Sequence, residues 1–198
     1  VMRDQQRVPR VRYLDGLFPP IFGQSLAKLG LECEFELPVM AYRQQEMPAP
    51  ALPEAVQAQH VTDHEGMATW WYVWRNAYYE VSTPGAEPLL LGRDMAALDG
   101  GTQMNLILYR YGFPVAVARL TRHADSAHLA AVAMMRELQT PELMRALHQS
   151  ALHLAHEQGC DLVFAIAQDE AEHSFYDGLG YEQFGHIVSY VEPRSDAE

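Results

Sequence analysis

Near the C-terminus, one tyrosine stands where its hydroxyl could take part in proton transfer. Phe175 and Tyr176 come just before the break Gly178-Leu179-Gly180, and a run rich in β-forming residues follows. A phenol with its ordinary pKa of about 10 is protonated at neutral pH and can act as a general acid. The alternative is that Tyr176 is a half-buried aromatic residue that packs under a sheet. The string Phe-Tyr-x-x-x-Gly alone does not separate the two, because such strings are common.

A second candidate for proton transfer is His128, in the strand-like stretch SAHLAAVA. A neutral imidazole with a pKa near 6.5 can serve as a general base, and the alternative is a hydrogen-bonded residue at the rim of a sheet. His148, His153 and His156 share one predicted helix but lack the i, i+4 pairing of helical zinc sites. We therefore predict that these three histidines lie on a solvated helix face and that the chain holds no metal.

The elements that would position these side chains alternate between helices and strands. TPELMRALHQSALHLAHEQG has a Thr140 cap, a closing glycine at Gly159 and an apolar stripe of Leu143, Leu147, Ala151 and Leu154. The apolar run DLVFAIA follows, and a helix between two strands implies a parallel pair. Upstream, TQMNLILYRYGFPVAVARLTRH predicts two strands about a Tyr-Gly turn, and SAHLAAVAM predicts a third. The predicted order is β-α-α-β-β-β-α-β-α-β, a mixed sheet with helices on its faces.

The N-terminal part of the sequence is predicted to be an extension of that sheet domain. Residues 47–54, MPAPALPE, contain three prolines and predict a stiff linker between an extension at 1–46 and a domain at 55–193. The extension contains a short helix and a strand whose apolar residues it cannot bury alone. Docking on the main domain or on a second subunit, as a homodimer, would bury them. The arginine-rich first dozen residues and residues 194–198 are predicted to be solvated tails.

The order of elements and the Phe-Tyr-x-x-x-Gly motif are similar to those of the GNAT superfamily of N-acetyltransferases over roughly residues 55–193. The resemblance implies a mixed central β-sheet flanked by helices and acetyl-CoA as cosubstrate. It also implies that a primary amine attacks the thioester directly, that Tyr176 protonates the CoA sulfur and that His128 or a water takes the proton of the amine. Trp70, Trp71 and Trp74, on the first helix of the domain, could line the acceptor pocket or belong to the core.

The stretch expected to bind the CoA pyrophosphate departs from the family pattern Arg/Gln-x-x-Gly-x-Gly/Ala. Only Gln139 fits, while Glu142 adds a negative charge, Met144 adds bulk and Pro141 lacks an N–H. Asp169 falls where the family often has an asparagine that contacts the cofactor. The contacts with the cofactor that the resemblance implies are Met134, Arg136, Gln139, Thr140, Pro141, Glu142, Leu143, Met144 and Asp169.

Composition restricts the class of partner. The chain has 198 residues and a net charge of -12, so its overall field repels nucleic acid and anionic membranes and favours a cationic acceptor. Its two cysteines, Cys33 and Cys160, are far apart and fit a reducing cytoplasm. No apolar run reaches the ~18 residues of a membrane span.

Two hypotheses of function follow from these patterns. The first is an acetyl-CoA-dependent N-acetyltransferase acting on a small-molecule or peptide amine. The second is a catalytically inactive binding module with the same fold, which has lost CoA binding through its altered loop. The fold alone does not decide between them.

Overall fold

The computed structural model describes residues 8–43, 49–79 and 87–193. Part of the predicted linker (47–48) and the predicted tail at 194–198 lie outside these residues. Within them, no helix is both long and apolar enough to cross a membrane.

The described residues form eight strands and five α-helices. The strands are β1 (Arg10–Leu14), β2 (Glu32–Arg43), β3 (Val56–His60), β4 (Gln103–Arg110), β5 (Phe113–His123), β6 (Ser126–Met134), β7 (Leu162–Ile166) and β8 (Glu182–Val191). The helices are α1 (Ile21–Lys28), α2 (His64–Tyr78), α3 (Pro88–Asp99), α4 (Pro141–Glu157) and α5 (Glu170–Asp177). From β3 to β8 this is the order that the sequence predicts.

The strands join into one sheet in the order β1-β8-β2-β7-β6-β5-β4-β3. The pair β6/β7 is parallel, whereas β3/β4, β4/β5 and β5/β6 are antiparallel, so the predicted mixed sheet is confirmed. The turn between β4 and β5 has positive φ at both central residues, 52° at Tyr111 and 79° at Gly112. Two such residues make the hairpin turn whose twist matches that of the strands.

Two compact units divide the chain. The central unit comprises residues 42–164 and the terminal unit comprises residues 1–41 and 165–198, so the division falls within β7. These units group β2 with the C-terminal elements. The domain boundaries that the sequence suggests remain a prediction.

In the terminal unit, β8 pairs antiparallel with both β1 and β2. The prediction that the arginine-rich N-terminus is a solvated tail is therefore wrong for Arg10 and Arg12, which lie in β1. Their strand was missed because its partner, β8, is about 180 positions away in the sequence. The side chains of Tyr13, Phe18 and Phe22 pack together beside this strand, with ring centroids 4.6 to 5.6 Å apart.

In the central unit, α2 begins at an Asp63 cap, whose side chain accepts a hydrogen bond from the N–H of Gly66 at 2.8 Å. The helix buries Met67, Trp70 and Val73 against residues of β4, β5 and β6. This apolar stripe has the spacing of one helix face, which explains why the sequence pattern identified the helix.

A buried ion pair adds to this core. Asp94, on α3, is 2% exposed, and its carboxylate lies 2.6 Å from the guanidinium of Arg119 on β5. The indole N–H of Trp71 donates to the same carboxylate at 3.0 Å, and Arg119 also donates to Asn105 Oδ1 at 2.9 Å. The guanidinium lies 4.1 Å from the ring centroid of Trp70, within the range of a cation–π interaction.

Helix α4 buries the stripe that the sequence predicts: Leu143, Leu147, Ala151 and Leu154 are all buried. The prediction that His148 lies on a solvated face is wrong, because this side chain is 3% exposed. Its Nδ1 lies 2.9 Å from the carbonyl oxygen of Met144, one turn earlier. Burial lowers the pKa of His148 to about 4, so the imidazole is neutral and its Nδ1–H satisfies that carbonyl.

Candidate active site

The parallel ladder between β6 and β7 ends after three pairs. Ser126, Ala127 and His128 face Leu162, Val163 and Phe164, while β6 continues for six more residues to Met134. The ladder ends next to a β-bulge at Ala130, where the register with β5 shifts between the pairs Arg119/Ala131 and Leu120/Leu129. A bulge bends the strand and interrupts pairing. Along residues 129–134, β6 therefore has an edge that no strand of the described chain covers on the β7 side.

The backbone groups of Val132 and Met134 point to this open edge of β6. The N–H of Met135 donates to the carbonyl of Val115 at 2.9 Å, and hydrogen-bonded pairs alternate along an antiparallel ladder. The pairs Ala116/Met134 and Ala118/Val132 are then non-hydrogen-bonded, so their backbone groups on β6 point away from β5. The open edge thus carries N–H and C=O groups in the pattern that an extended amide chain could pair with.

Two side chains already reach this edge. The hydroxyl of Tyr78, at the end of α2, donates to the carbonyl of Val132 at 3.3 Å. The amide of Gln139 donates to the carbonyl of Met134 at 3.4 Å. The structure thus brings together Met134 and Gln139, two of the residues implied as cofactor contacts.

Sequence reasoning missed Tyr78 entirely. Its only signal was its position four residues after Trp74 on the aromatic face of the helix, which does not indicate a polar contact with a strand about 50 residues away.

Arg136 has a role that the sequence did not suggest. Its Nε and Nη2 donate to the carbonyls of Ala77 and Tyr78 at 3.2 and 3.3 Å, at the C-terminal end of α2. A cation that donates to the last carbonyls of a helix stabilises that end. Arg136 therefore fixes the end of α2 that carries Tyr78, and its contact with a cofactor remains a prediction.

His128 is the last residue of β6 in the parallel ladder. Its ring stacks on Phe164, its register partner, with centroids 4.8 Å apart and an angle of 11° between the planes. Burial, with a smaller effect from His123, lowers the pKa of His128 below its ordinary value. A lowered pKa keeps the imidazole neutral at physiological pH, which is the form that can accept a proton.

The first turn of α4 offers few free donors for an anion. Thr140 caps the helix: its hydroxyl accepts from the N–H of Leu143 at 3.2 Å and its carbonyl accepts from the N–H of Met144 at 3.0 Å. Pro141 has no N–H, so Glu142 provides the one first-turn N–H that these bonds do not use. The carboxylate of Glu142 is exposed in the same turn and would repel a phosphate.

An open cavity of about 480 Å³ adjoins the same turn, between Ala51–Pro53 and residues 141–149 of α4. Glu142 and Arg145 give it one charge of each sign.

In the terminal unit, Asp169 and Tyr176 lie at opposite ends of α5. Asp169 caps the helix, and its carboxylate accepts from the N–H of Glu172 at 2.8 Å, so this side chain already has a structural role. Tyr176 is 7% exposed and packs on Tyr181, with centroids 5.1 Å apart. Burial, and to a lesser degree the charge of Glu172, raises the pKa of Tyr176 well above its ordinary value. The phenol therefore keeps its proton throughout the physiological range.

Of the three tryptophans of α2, Trp70 belongs to the core. It is 1% exposed, and its indole N–H donates to the carbonyl of Ala118 at 2.9 Å. Trp71 and Trp74 are partly buried against the same core. A role for them beside an acceptor remains a prediction.

Comparison with known proteins gives similarity at the level of structure alone. No family model matches the chain, and no curated protein matches its sequence. A GCN5-related N-acetyltransferase from Kribbella flavida superimposes with a TM-score of 0.75 at 20% identity, covering 98% of this chain and 72% of that one. A GCN5-related N-acetyltransferase from Sphaerobacter thermophilus gives 0.70 at 16% identity, covering 96% and 62%.

A tandem GNAT protein from the clavulanic acid biosynthesis pathway gives a TM-score of 0.69 at 16% identity, with coverage of 98% of this chain and 67% of that one. This chain therefore spans roughly two thirds of the length of these three proteins. These superpositions show that the chain has the fold of the GNAT superfamily of N-acetyltransferases.

Proposed function

We propose that the chain is an N-acetyltransferase that transfers an acetyl group from acetyl-CoA to a primary amine. The observation that supports this most directly is the edge of β6, which opens at the Ala130 bulge and presents backbone groups of Val132 and Met134. This edge fits an amide-bearing chain such as that of CoA, because a ligand amide can hydrogen-bond to a strand edge as another strand would.

In the proposed reaction, acetyl-CoA supplies an activated acetyl group as a thioester. The amine nitrogen forms a bond to the acetyl carbon and the bond from that carbon to sulfur breaks. His128 accepts the proton that the amine loses, and the hydroxyl of Tyr176 donates a proton to the sulfur. The neutral imidazole and the protonated phenol, both favoured by burial, are the forms that these two roles require.

The first turn of α4 fits a pyrophosphate less well. Its N–H groups at Leu143 and Met144 are already bonded to Thr140, and Glu142 adds a negative charge. We therefore propose that CoA is held chiefly through the β6 edge and that its affinity is modest.

The same contacts favour a second candidate function, a binding module that no longer uses CoA. The carbonyls of Val132 and Met134, which a ligand amide would approach, already accept hydrogen bonds from Tyr78 and Gln139. In this view the side chains that reach the edge have replaced the cosubstrate.

Calorimetry with acetyl-CoA and with CoA on the purified chain separates the two functions. The enzyme requires binding in the micromolar range, followed by release of free thiol when an amine acceptor is added. An absence of binding up to millimolar concentrations would favour the module.

A variant of the α4 turn tests where the phosphates lie. At an effective dielectric near 20, an anionic pair ~6 Å apart costs about 3 kcal/mol before salt screening, and less for a side chain turned into solvent. Glu142→Gly with Met144→Gly removes the charge and the bulk, at about 1 kcal/mol of helix stability per glycine. We expect the double variant to bind CoA at least ~10-fold more tightly, or 1.4 kcal/mol, in low salt.

Glu157→Gly at the other end of α4 is the matched control for charge and helix stability. Unchanged or weaker affinity of the double variant would mean that the phosphates do not approach this turn.

A further inference from the structure

The terminal unit contains a cavity of about 610 Å³, within the size range of small-molecule sites. The carboxylates of Asp15 and Glu36 and the rings of Tyr13, Phe18 and Tyr190 line it. Among the residues that the structure describes, neither a lysine nor an arginine lines this cavity. Its lining is therefore both acidic and aromatic, and the proposed acetyl transfer uses none of these side chains.

The aromatic side of the cavity is built around Gly23. The rings of Tyr13 and Tyr190 are nearly parallel, at 20°, with centroids 6.3 Å apart, and Phe18 meets Tyr13 edge-on at 5.6 Å. A Cβ at Gly23 would lie 3.0 Å from both tyrosine hydroxyl oxygens, so glycine allows the two hydroxyls to converge there. Such an arrangement offers ring faces and hydroxyl oxygens, which attract cations.

The acidic side is held in place by backbone contacts. Asp15 Oδ1 accepts from the N–H groups of His186 at 2.9 Å and Gly16 at 2.7 Å. Hydrogen bonds from the backbone and the side chain of His186, with a smaller effect from Gly16, lower the pKa of Asp15. Glu36 Oε1 is 3.7 Å from Nδ1 of His186, beyond hydrogen-bond distance. Burial raises the pKa of Tyr13, and the nearby groups Tyr190, Cys33, Glu36 and Asp15 raise it further. The cavity is thus a place of negative potential where a cation is favoured.

We propose that this cavity binds a small organic ammonium ion, with its charge between the carboxylates and its alkyl groups against the tyrosine rings. The site is independent of the proposed acyl transfer and requires no CoA.

A metal ion fits the same groups less well. The ligand atoms of Asp15, Glu36 and His186 lie within 4.8 Å of one another. However, His186 Nδ1 is 3.1 Å from Asp15 Oδ2, and an ionised carboxylate can only accept, so this nitrogen carries a proton rather than a free lone pair. The other ring nitrogen lies 3.0 Å from the amide nitrogen of Gln183, which fits a neutral imidazole protonated at Nδ1. An ammonium ion leaves this network intact, whereas a metal would have to displace the proton.

The test is calorimetry on the full chain, without CoA, using choline and its neutral isostere 3,3-dimethylbutan-1-ol. We expect choline to bind and the isostere to bind at least ~10-fold more weakly, because the isostere lacks the charge that the rings and carboxylates attract. Equal affinities, or no choline binding up to millimolar concentrations, would overturn the proposal.

Two variants locate the site. Glu36→Gln should weaken choline binding at least ~10-fold, whereas Glu32→Gln, an exposed residue of the same strand outside the cavity lining, should leave it within about twofold. Gly23→Ala, which crowds both tyrosine hydroxyls, should also weaken binding. Equal effects of the two glutamine variants would show that the attraction is a general charge effect. Zn²⁺ or Mn²⁺ binding that Glu36→Gln abolishes, together with no choline binding, would identify a metal site instead.

Discussion

Two segments of the terminal unit follow one structural plan, a short helix, a glycine and a strand. Helices α1 and α5 each have eight residues, and each is followed by a glycine with positive φ, 82° at Gly30 and 88° at Gly180. The strands that follow, β2 and β8, pair antiparallel with each other. The segments LAKLGLECEFELPVM and YDGLGYEQFGHIVSY, which contain these helix ends and strands, therefore share one local arrangement.

The bonds that end the two helices also correspond. The N–H of Leu31 donates to the carbonyl of Leu26 at 3.1 Å, and the N–H of Tyr181 donates to the carbonyl of Tyr176 at 3.0 Å. Leu26 and Tyr176 occupy the same position in the plan, and both are 7% exposed. Packing at this position is therefore satisfied by a leucine in one copy. The difference teaches that burial alone does not account for the hydroxyl of Tyr176, and the proposed general-acid role of this residue remains a prediction.

The strongest way to break the comparison is to remove one copy. Deleting residues 1–46 takes away β2, which pairs with β8 from Glu32 to Ala41, together with the buried side chains of Leu26, Val39 and Met40. Losing several kcal/mol of apolar burial should lower the melting temperature by roughly 10 °C or more, or give insoluble protein. Deleting only residues 1–7 is the control. If the protein that begins at residue 47 melts at the same temperature as the full chain, the first copy does not contribute to the stability of the fold.

A smaller change tests whether the hydroxyl of Tyr176 takes part in catalysis. If Tyr176 is the general acid, Tyr176→Phe should lower kcat by about 10²-fold with little change in stability, because only the oxygen is lost. Tyr181→Phe, at another buried tyrosine of the same unit, is the matched control and should leave kcat nearly unchanged. Steady-state acetylation of an accepted amine provides the measurement. Full turnover of the Tyr176 variant would remove the distinction between the two copies.

Substitution of the two glycines tests whether both helix ends require a residue in the left-handed conformation. A residue with a Cβ in the left-handed region costs about 1–2 kcal/mol, so Gly30→Ala and Gly180→Ala should each lower the free energy of unfolding by that amount. Urea denaturation measures both variants. A large loss at one glycine and none at the other would contradict the structural equivalence of the two helix ends.

The smallest expected effect concerns the pH dependence of stability due to His148, which lies outside both copies. Burial lowers the pKa of His148 from 6.5 to about 4, so the unfolded chain binds a proton at this residue that the folded chain does not bind. Stability is therefore lost as the pH falls below about 6.5, and this residue should account for about 0.7 kcal/mol between pH 7 and pH 6. His148→Gln should flatten the dependence by that amount in urea titrations at the two pH values. An unchanged slope would show that folding does not lower the pKa of His148.

Most of the fold could be predicted because its signals are local. The Tyr111-Gly112 turn, the Thr140 cap and the apolar stripe of α4 each lie within a few residues, and all three are found in the structure. Strand β1 was missed because its evidence is a partner far along the chain. The burial of His148 was missed because a histidine on a helix gives no sign of what packs over it.

The candidate site was harder to predict for the same reason. The sequence identified Gln139 and Thr140 by their place in a motif, but it could not show that the first binds the Met134 carbonyl and the second already bonds two N–H groups. No residue type in the sequence marks the Ala130 bulge, which is visible only in the register between β5 and β6. Contacts of Tyr78 and Arg136 with distant backbone groups likewise leave no local pattern.

The ion pair in the core of the central unit has a consequence for inheritance. Losing Asp94 alone would leave the guanidinium of Arg119 without its carboxylate, at a cost of about 3–5 kcal/mol, and losing Arg119 would leave the buried carboxylate with only the largely exposed Arg93 as its ion-pair partner. Exchanging Asp94 and Arg119 together for well-packed apolar residues could be nearly neutral. Single substitutions at these positions are therefore unfavourable intermediates between the ion pair and an apolar pair. Positions 94 and 119 should persist or disappear together among descendants of this chain, with Trp71 and Asn105 constrained as long as the pair is kept.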